Sequence, residues 1–212
     1  MLLSGGIDSA TALYLVKRDF PVRALTFEYH GIARQEVRSA NDVAEAAGVT
    51  EHRLVRLPDL KEAGDIPGVR FGALPPTYIP LRNSVFYSFA AAYAEETGAS
   101  VIVGGHNRDD MAVFADVSSD FFSKLERALW AGSPILRRLR TRIVRPLGRR
   151  TKAEVISLAS SMGVPLQLTW SCHRSGKIHC WKCEGCLARI RSFETAEVSD
   201  PLSTERGKLL KG

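Results

Sequence analysis

Strand-like runs that alternate with helix-length segments constrain this chain more than any other feature. The runs are "VRALTF" (22–27), "EHRLVRL" (51–57), "SVIVGG" (100–105) and "RIVRPL" (142–147). Between and around them lie "SATALYLVK" (9–17), "RQEVRSANDVAEAAG" (34–48), "NSVFYSFAAAYAEETG" (83–98), "SSDFFSKLERALW" (118–130) and "TKAEVISLASSMG" (151–163). In the second of these, Val37, Ala40, Ala44 and Ala47 share one helical face that stops at Gly48. Phe121, Phe122, Leu125 and Leu129 form a second stripe, and Thr151 with Glu154 forms a capping box before a helix that ends at Gly163. The helix ended by Gly98 reads as largely buried, and "SVIVGG" reads as the strongest strand. Strands in such alternation build βαβ units, so the expected class is α/β, with a Rossmann-like parallel sheet covered by helices on both faces.

In such sheets ligands bind beyond the carboxyl ends of the strands. That rule brings the Gly5-Gly6 turn, the region around Tyr29 and Gly104-Gly105 to one rim. A Pro/Gly-rich connection, residues 58–80, is long enough to suggest a functional loop. The 212 residues suit one sizeable domain or one domain with a small appendage. A composition of 45% apolar and 25% charged residues excludes extended disorder. No apolar stretch nears the roughly 18–20 residues that span a bilayer. The N-terminus has no basic region followed by an apolar run, so the expectation is a soluble cytoplasmic protein without a secretory leader.

The first chemical signal is "LSGGIDS", Leu3 to Ser9, a glycine pair between the short apolar start Met1-Leu2-Leu3 and a helix. A helix N-terminus offers unpaired N–H groups and partial positive charge to an anion. Gly5 and Gly6 let the backbone approach a phosphate, and Ser4 and Ser9 add hydroxyls. Asp8 repels phosphate by itself; it fits a role in holding magnesium or in capping the helix. The spacing matches neither G-x-G-x-x-G nor G-x-x-x-x-G-K-[ST], which disfavours dinucleotide and Walker-type sites.

The second signal is "CHRSGKIHCWKCEGC". Cys172, Cys180, Cys183 and Cys186 lie within 15 residues and can wrap one tetrahedral ion, foremost a structural zinc. Four thiolates also suit an iron–sulfur cluster, whereas disulfides do not suit a reducing cytosol. His173 and His179 are alternative ligands, but four thiolates complete the shell, and both histidines are expected to face solvent. The net charge of +6 owes much to residues 137–152, with seven Arg and one Lys. This run is either a solvated basic loop or an anion-facing surface; no interleaved aromatics support single-strand stacking.

"LSGGIDS" resembles the pyrophosphate loop of the PP-loop ATPases, which cleave ATP between its α and β phosphates to adenylate a substrate. Combined with C-x7-C-x2-C-x2-C near the C-terminus, it resembles 7-cyano-7-deazaguanine synthases. "TYIPLRN" (77–83, with Pro80, Arg82 and Asn83), "TKAE" (151–154) and "LTWSC" (168–172) match further family segments, so the resemblance runs from Leu3 to about Phe193. It implies a PP-loop ATP-pyrophosphatase domain over 1–165 and a zinc-binding region over 166–212 packed on it. It implies ATP binding by Leu3, Ser4, Gly5, Gly6, Ile7, Asp8, Ser9, Ala10, Thr11, Ala12 and Leu13 with Gly105, and one zinc on the four cysteines. The implied activity joins 7-carboxy-7-deazaguanine and ammonia: the carboxylate is adenylated, ammonia displaces AMP, and a second ATP drives dehydration of the amide to the nitrile.

Arg82 and Lys152 are the candidates for neutralising phosphate charge, beside magnesium held with the help of Asp8. After the third strand the family reads Asp-[Tyr/Phe]-Ser-Gly-Tyr-Pro-Asp-Cys-Arg, a segment expected to line the base pocket. Here it is "DMAVFADVS" (110–118), which keeps Asp110 and Asp116 at the same spacing and an aromatic ring at Phe114, but not the Arg. Asp110 and Asp116 are therefore catalytic candidates, and Asn83, His106 and Phe114 substrate-binding ones. "GGHNRDD" (104–110) also resembles the Gly-His-x-x-Asp-Asp element of PP-loop enzymes that lysidinylate or thiolate tRNA, which would place His106 and Asp109 or Asp110 near the adenylate. Thiolation needs free cysteines, and all four are committed to the knuckle. The family resemblance further implies a homodimer, with the apolar helix 84–97 as one candidate surface, and no direct nucleic-acid binding. Two other readings stay open at this level: a relative that stops at an amide or uses another amine, and a zinc-knuckle module binding RNA through 137–152.

Overall fold

The computed structural model describes residues 1–68 and 78–204. The middle of the connection 58–80, with Thr77, and the last eight residues lie outside the described set. Among the described residues four strands are present: β1 (Arg23–Tyr29), β2 (Glu51–Leu57), β3 (Val101–Val103) and β4 (Arg142–Val144). β1 pairs with β2 in parallel, Arg23 opposite Glu51 through Tyr29 opposite Leu57, and β3 pairs with β4 in parallel, Val101 opposite Arg142.

The N-terminal tripeptide joins the two pairs into one surface. Leu2 bridges Leu25 in parallel. Leu3 N–H donates to the Leu25 carbonyl at 2.8 Å, while Leu2 N–H donates to the Val103 carbonyl at 2.9 Å. The resulting order is β2, β1, residues 1–3, β3, β4, with the phosphate-loop candidate leaving the centre of the sheet. "SVIVGG" contributes only three strand residues, whereas β1 and β2 have seven each. Gly104 and Gly105 turn the chain away, so the run with the most continuous apolar character is among the shortest strands.

Period-two alternation sorts the sheet's side chains onto two faces. Leu3, Ala24 and Val103 join one core with α1 (Ile7–Val16), α2 (Arg34–Ala46), α7 (Lys152–Ser161) and Phe193 of α8 (Glu184–Thr195). Leu25, Phe27 and Ile102 join the other with α3 (Arg82–Thr97), Phe122 of α5 (Ser119–Gly132) and Leu136 of α6 (Pro134–Leu139). The remaining helix, α4 (Arg108–Val113), follows the Gly104-Gly105 turn.

Local signals explain the helix ends. The Thr151–Glu154 capping box forms in both directions, and Gly98 ends α3 in the left-handed region at φ 71°. The expectation that α3 is largely buried holds for one face only. Tyr87, Ala90, Ala91 and Ala94 are buried, but Val85 and Phe89 on the opposite side are each 37% exposed. Among the described residues no helix is long and apolar enough to cross a membrane.

Candidate functional site

The glycine pair folds as a compact turn onto α1. Gly5 has φ +81°, and a Cβ there would lie 2.4 Å from the Glu36 carbonyl oxygen, so only glycine lets the first turn of α2 rest on the loop. Gly6 is the N-cap of α1, and no side chain caps that end. Asp8 therefore does not serve as the cap; that alternative is replaced by an ion pair with the Lys152 ammonium. The Ser4 and Ser9 hydroxyls are 3.1 Å apart, and the Ser9 hydroxyl also lies 3.1 Å from the Gly6 carbonyl. Both hydroxyls thus flank the uncapped end, where an anion would complete the pairing.

The second glycine pair closes against the first. A Cβ on Gly105 would sit 2.7 Å from both Cα and N of Ser9, so the strand-end loop touches the start of α1 directly. Asn107 caps α4, accepting from the Asp109 and Asp110 N–H groups at 2.8 and 3.1 Å, while Asp110 Oδ2 accepts from Asn107 N–H at 3.0 Å. Lys152 N–H donates to Asp109 Oδ2 at 2.8 Å. "GGHNRDD" is thereby locked to α7 as well as to α1.

These elements surround a cavity of about 270 Å³ at the strand ends. Leu3, Ser4, Gly6, Asp8, Ser9, Gly105 and Asp110 line its phosphate-loop end, and Arg82, Asn83 and His106 reach it from the other side. Ile7, Ala10, Ala12 and Leu13 lie instead in the hydrophobic core, and Thr11 is buried with its hydroxyl on the Ile7 carbonyl at 2.7 Å. Asp116 accepts from the Asn83 N–H at 3.4 Å, and Phe114 packs against the α3–α5 core. The side chains of residues 111–113 lie outside the described set.

Electrostatics differ between the two ends. Burial and the neighbouring Asp8 raise the Asp110 carboxyl above its ordinary range. Burial, with Arg82 and Arg145 nearby, pushes His106 down to about 4, so its imidazole is neutral near pH 7. Asp8 Oδ1 is buried without a hydrogen-bond partner among the described residues. Two carboxylates at one end, one with an unpaired buried oxygen, fit the oxygen donors that a magnesium ion prefers.

At the other end, sequence reasoning marked Arg82, Asn83, His106 and the region around Tyr29, but not their aromatic and acidic neighbours. Phe27, Ile32, Glu36, Phe86 and Tyr87 line the cavity with Tyr29. Phe27 and Phe86 stack with centroids 4.2 Å apart, 5° from parallel. Burial pushes Glu36 up to about 7, with Arg82 opposing and Glu62 adding to the shift. The only sequence signal for Glu36 was its place in the first turn of the helix that follows a strand end.

The four cysteine sulfurs lie within 4.8 Å of one another. Cys180 to Cys186 is 3.9 Å and Cys183 to Cys172 is 3.8 Å. A tetrahedron with metal–sulfur bonds of about 2.3 Å has edges of about 3.8 Å, so the cluster suits a single ion. Backbone N–H groups of Arg174, Cys180, Cys183 and His173 point at these sulfurs from 3.3 to 3.5 Å, which favours thiolates.

His173 is exposed as expected, but His179 is not. It is 1% exposed, lies 4.2 Å from the Trp170 ring and 5.2 Å from Trp181, and accepts from the Ser171 N–H at 3.0 Å through Nε2. Its ring fills the gap between two indoles and satisfies a backbone donor, which is why it cannot face solvent. Trp170 N–H in turn donates to the Gly5 carbonyl at 2.9 Å, tying the cysteine cluster to the Gly5-Gly6 turn.

The family model described as "Queuosine biosynthesis protein QueC" matches residues 1–197. A curated 7-cyano-7-deazaguanine synthase of Thermoplasma acidophilum is 35% identical over 219 residues, spanning 97% of this chain and 91% of that protein. One of Trichodesmium erythraeum is 36% identical, spanning 95% of this chain and 98% of that protein. Among solved structures, an NMN synthetase from Francisella tularensis aligns with TM-score 0.54 at 20% identity, covering 93% of this chain and 76% of that one. That likeness concerns the fold.

Proposed function

The chain belongs to the QueC family of queuosine biosynthesis proteins, and from that premise we propose that it is an ATP-dependent ligase making 7-cyano-7-deazaguanine from 7-carboxy-7-deazaguanine and ammonia. The observation that carries the reading is one cavity bringing the uncapped start of α1, Asp8, Asp110 and Arg82 together, with Lys152 paired to Asp8 at its edge. The N–H groups of α1 and the Ser4 and Ser9 hydroxyls hold the departing pyrophosphate. Asp8 and Asp110 hold magnesium, which when bound neutralises phosphate charge. Arg82 and Lys152 add fixed positive charge where negative charge develops. His106, neutral near pH 7, adds no positive charge beside the activated acid, on which ammonia is the nucleophile. The four thiolates hold one structural zinc.

Incubation with the acid, ATP, magnesium and ammonium is expected to yield AMP, pyrophosphate and the nitrile. Absence of AMP and nitrile overturns the proposal. The segment 110–118, which lacks the family's Arg, motivates a second reading in which the product is an amide or the amine differs. Mass analysis of the product separates the two, since clean nitrile with ammonia preferred excludes the second.

The partners follow the same proposal. Exposure of Leu81, Val85 and Phe89 supports a homodimer, measurable by light scattering. Direct RNA binding is not part of it: Arg145 donates to the Val117 carbonyl at 3.0 Å and Arg142 pairs with Glu126 at 3.2 Å, so part of the basic run serves the fold.

A further inference from the structure

The phosphate chemistry leaves one carboxyl group of the cavity without a task. Glu36 lies in the first turn of α2 and lines the cavity beside Tyr29, Ile32 and Phe86. Its backbone packs on the Gly5 turn, its carbonyl oxygen occupying the space that any Cβ on Gly5 would need. Among the described residues no hydrogen bond reaches its carboxylate. Arg82 acts on it through space, but Arg82 also interacts with Tyr29, and Glu62 opposes it with a second negative charge.

The surrounding surface is aromatic. Phe86 stacks on Phe27, and the Tyr29 ring lies 5.8 Å from Phe86, tilted by 44°. A planar ring fits against such a wall, and the unpaired carboxylate then requires donors on that ring's edge. Arg82 on the same cavity supplies the positive charge that an acid-bearing ring needs. An adenine edge presents one amino donor beside a ring-nitrogen lone pair, which a carboxylate repels. A guanine-type edge presents a ring N–H next to an amino group, two donors in a row that match two carboxylate oxygens.

We propose that Glu36 is the specificity-determining residue of the acid site, accepting the ring N–H and the adjacent amino group of a guanine-type ring held against Phe86 and Tyr29. The proposal rests on the functional reading above and assigns the recognition step within it. The burial that raises the Glu36 carboxyl to about 7 accords with a site completed by its ligand, because paired donors restore the charged form.

Calorimetric titration of the metal-loaded protein tests it with three ligands: 7-carboxy-7-deazaguanine, the same acid lacking the 2-amino group, and ATP. Wild type is expected to prefer the amino-bearing acid by about 10- to 100-fold, the value of one charge-assisted hydrogen bond. Glu36→Gln is expected to remove most of that preference while leaving ATP affinity within about threefold. Glu36→Asp, which keeps the charge but withdraws it by one methylene, is expected to keep the preference at reduced affinity.

Unchanged discrimination in Glu36→Gln overturns the assignment. So does a loss confined to ATP, which would place Glu36 at the adenine. Wild-type protein that binds ATP but neither acid overturns the functional reading together with this assignment, and so the two failures are distinguishable.

Discussion

Lys152, the first residue of α7, holds Asp8 in the first turn of α1 by an ion pair between residues 144 positions apart. The side chains are 27% and 18% exposed, so the pair is partly shielded from solvent. The same residue's N–H binds Asp109, so a single position ties both glycine turns together.

Replacing Lys152 with Met leaves Asp8 beside Asp110 without its cation. Pyrophosphate release is expected to fall about 100- to 1000-fold, the scale on which preorganised charge acts at a transition state. A melting temperature that drops while turnover stays within about threefold would assign Lys152 to stability alone.

Gly5 and Gly48, both at positive φ, separate close approach from backbone conformation. A Cβ at Gly5 meets the Glu36 carbonyl and the Ala40 N within 2.7 Å, whereas a Cβ at Gly48, with φ +70°, meets nothing within 4 Å. Gly48→Ala is expected to cost about 1 kcal/mol from backbone strain alone. Gly5→Ala is expected to cost about 3 kcal/mol and to weaken ATP binding, because α2 must move off the loop. Denaturant titration and ATP calorimetry on both variants check this.

Removal of a metal from the proposed thiolate site is expected to reach the proposed ATP loop through Trp170 and Gly5. Chelation should lower the melting temperature and raise hydrogen exchange at residues 4–9, not only at 172–186. Exchange confined to the knuckle would show that the Trp170 link carries no order to the loop.

The Glu36 carboxyl, raised to about 7, makes stability fall with rising pH. The unfolded chain releases this proton near the ordinary carboxyl value of 4.5, whereas the folded chain holds it until about 7. The contribution is full below 4.5 and is lost as pH climbs through about 7. Glu36→Gln is expected to gain about 2 kcal/mol relative to wild type at pH 8 and little at pH 4, allowing for partial exposure. Parallel unfolding curves for the two proteins at both pH values would refute the assignment.

Arg189 is fully buried, with its side chain 0% exposed against 9% for Asp200. It donates to Asp200 at 2.7 and 2.8 Å and to the Thr169 and Leu166 carbonyls. Arg189→Met alone is expected to cost about 3–5 kcal/mol by leaving a buried carboxylate uncompensated. Arg189→Met with Asp200→Leu is expected to recover part of that, and denaturant midpoints of the single and double variants decide it.

Much of the fold was written in local pattern. β2 spans the residues that alternation marked, and the Thr151–Glu154 box starts α7 as its spacing requires. The glycine pair pointed to an anion site and the four cysteines to a metal site because such chemistry needs few residue types at fixed short spacing, and the four sulfurs do cluster. Local pattern failed where a neighbour distant in the chain decided the outcome. His179 looked like a loop histidine, but Trp170 and Trp181 enclose it. α3 read as largely buried, but its packing partners cover only one face.

The sequence by itself determined the alternation of strand and helix, the loop chemistry of Ser4 to Ser9 and the thiolate set, since each depends on residues close along the chain. Only the tertiary structure decided that Lys152 meets Asp8, that Trp170 holds Gly5, and that Glu36 lies without a hydrogen-bond partner in the described structure, against an aromatic wall. Those contacts join segments separated by up to 165 positions, from Gly5 to Trp170. Periodicity carries no information across such distances; the parallel sheet does, because it brings its strand ends to one edge.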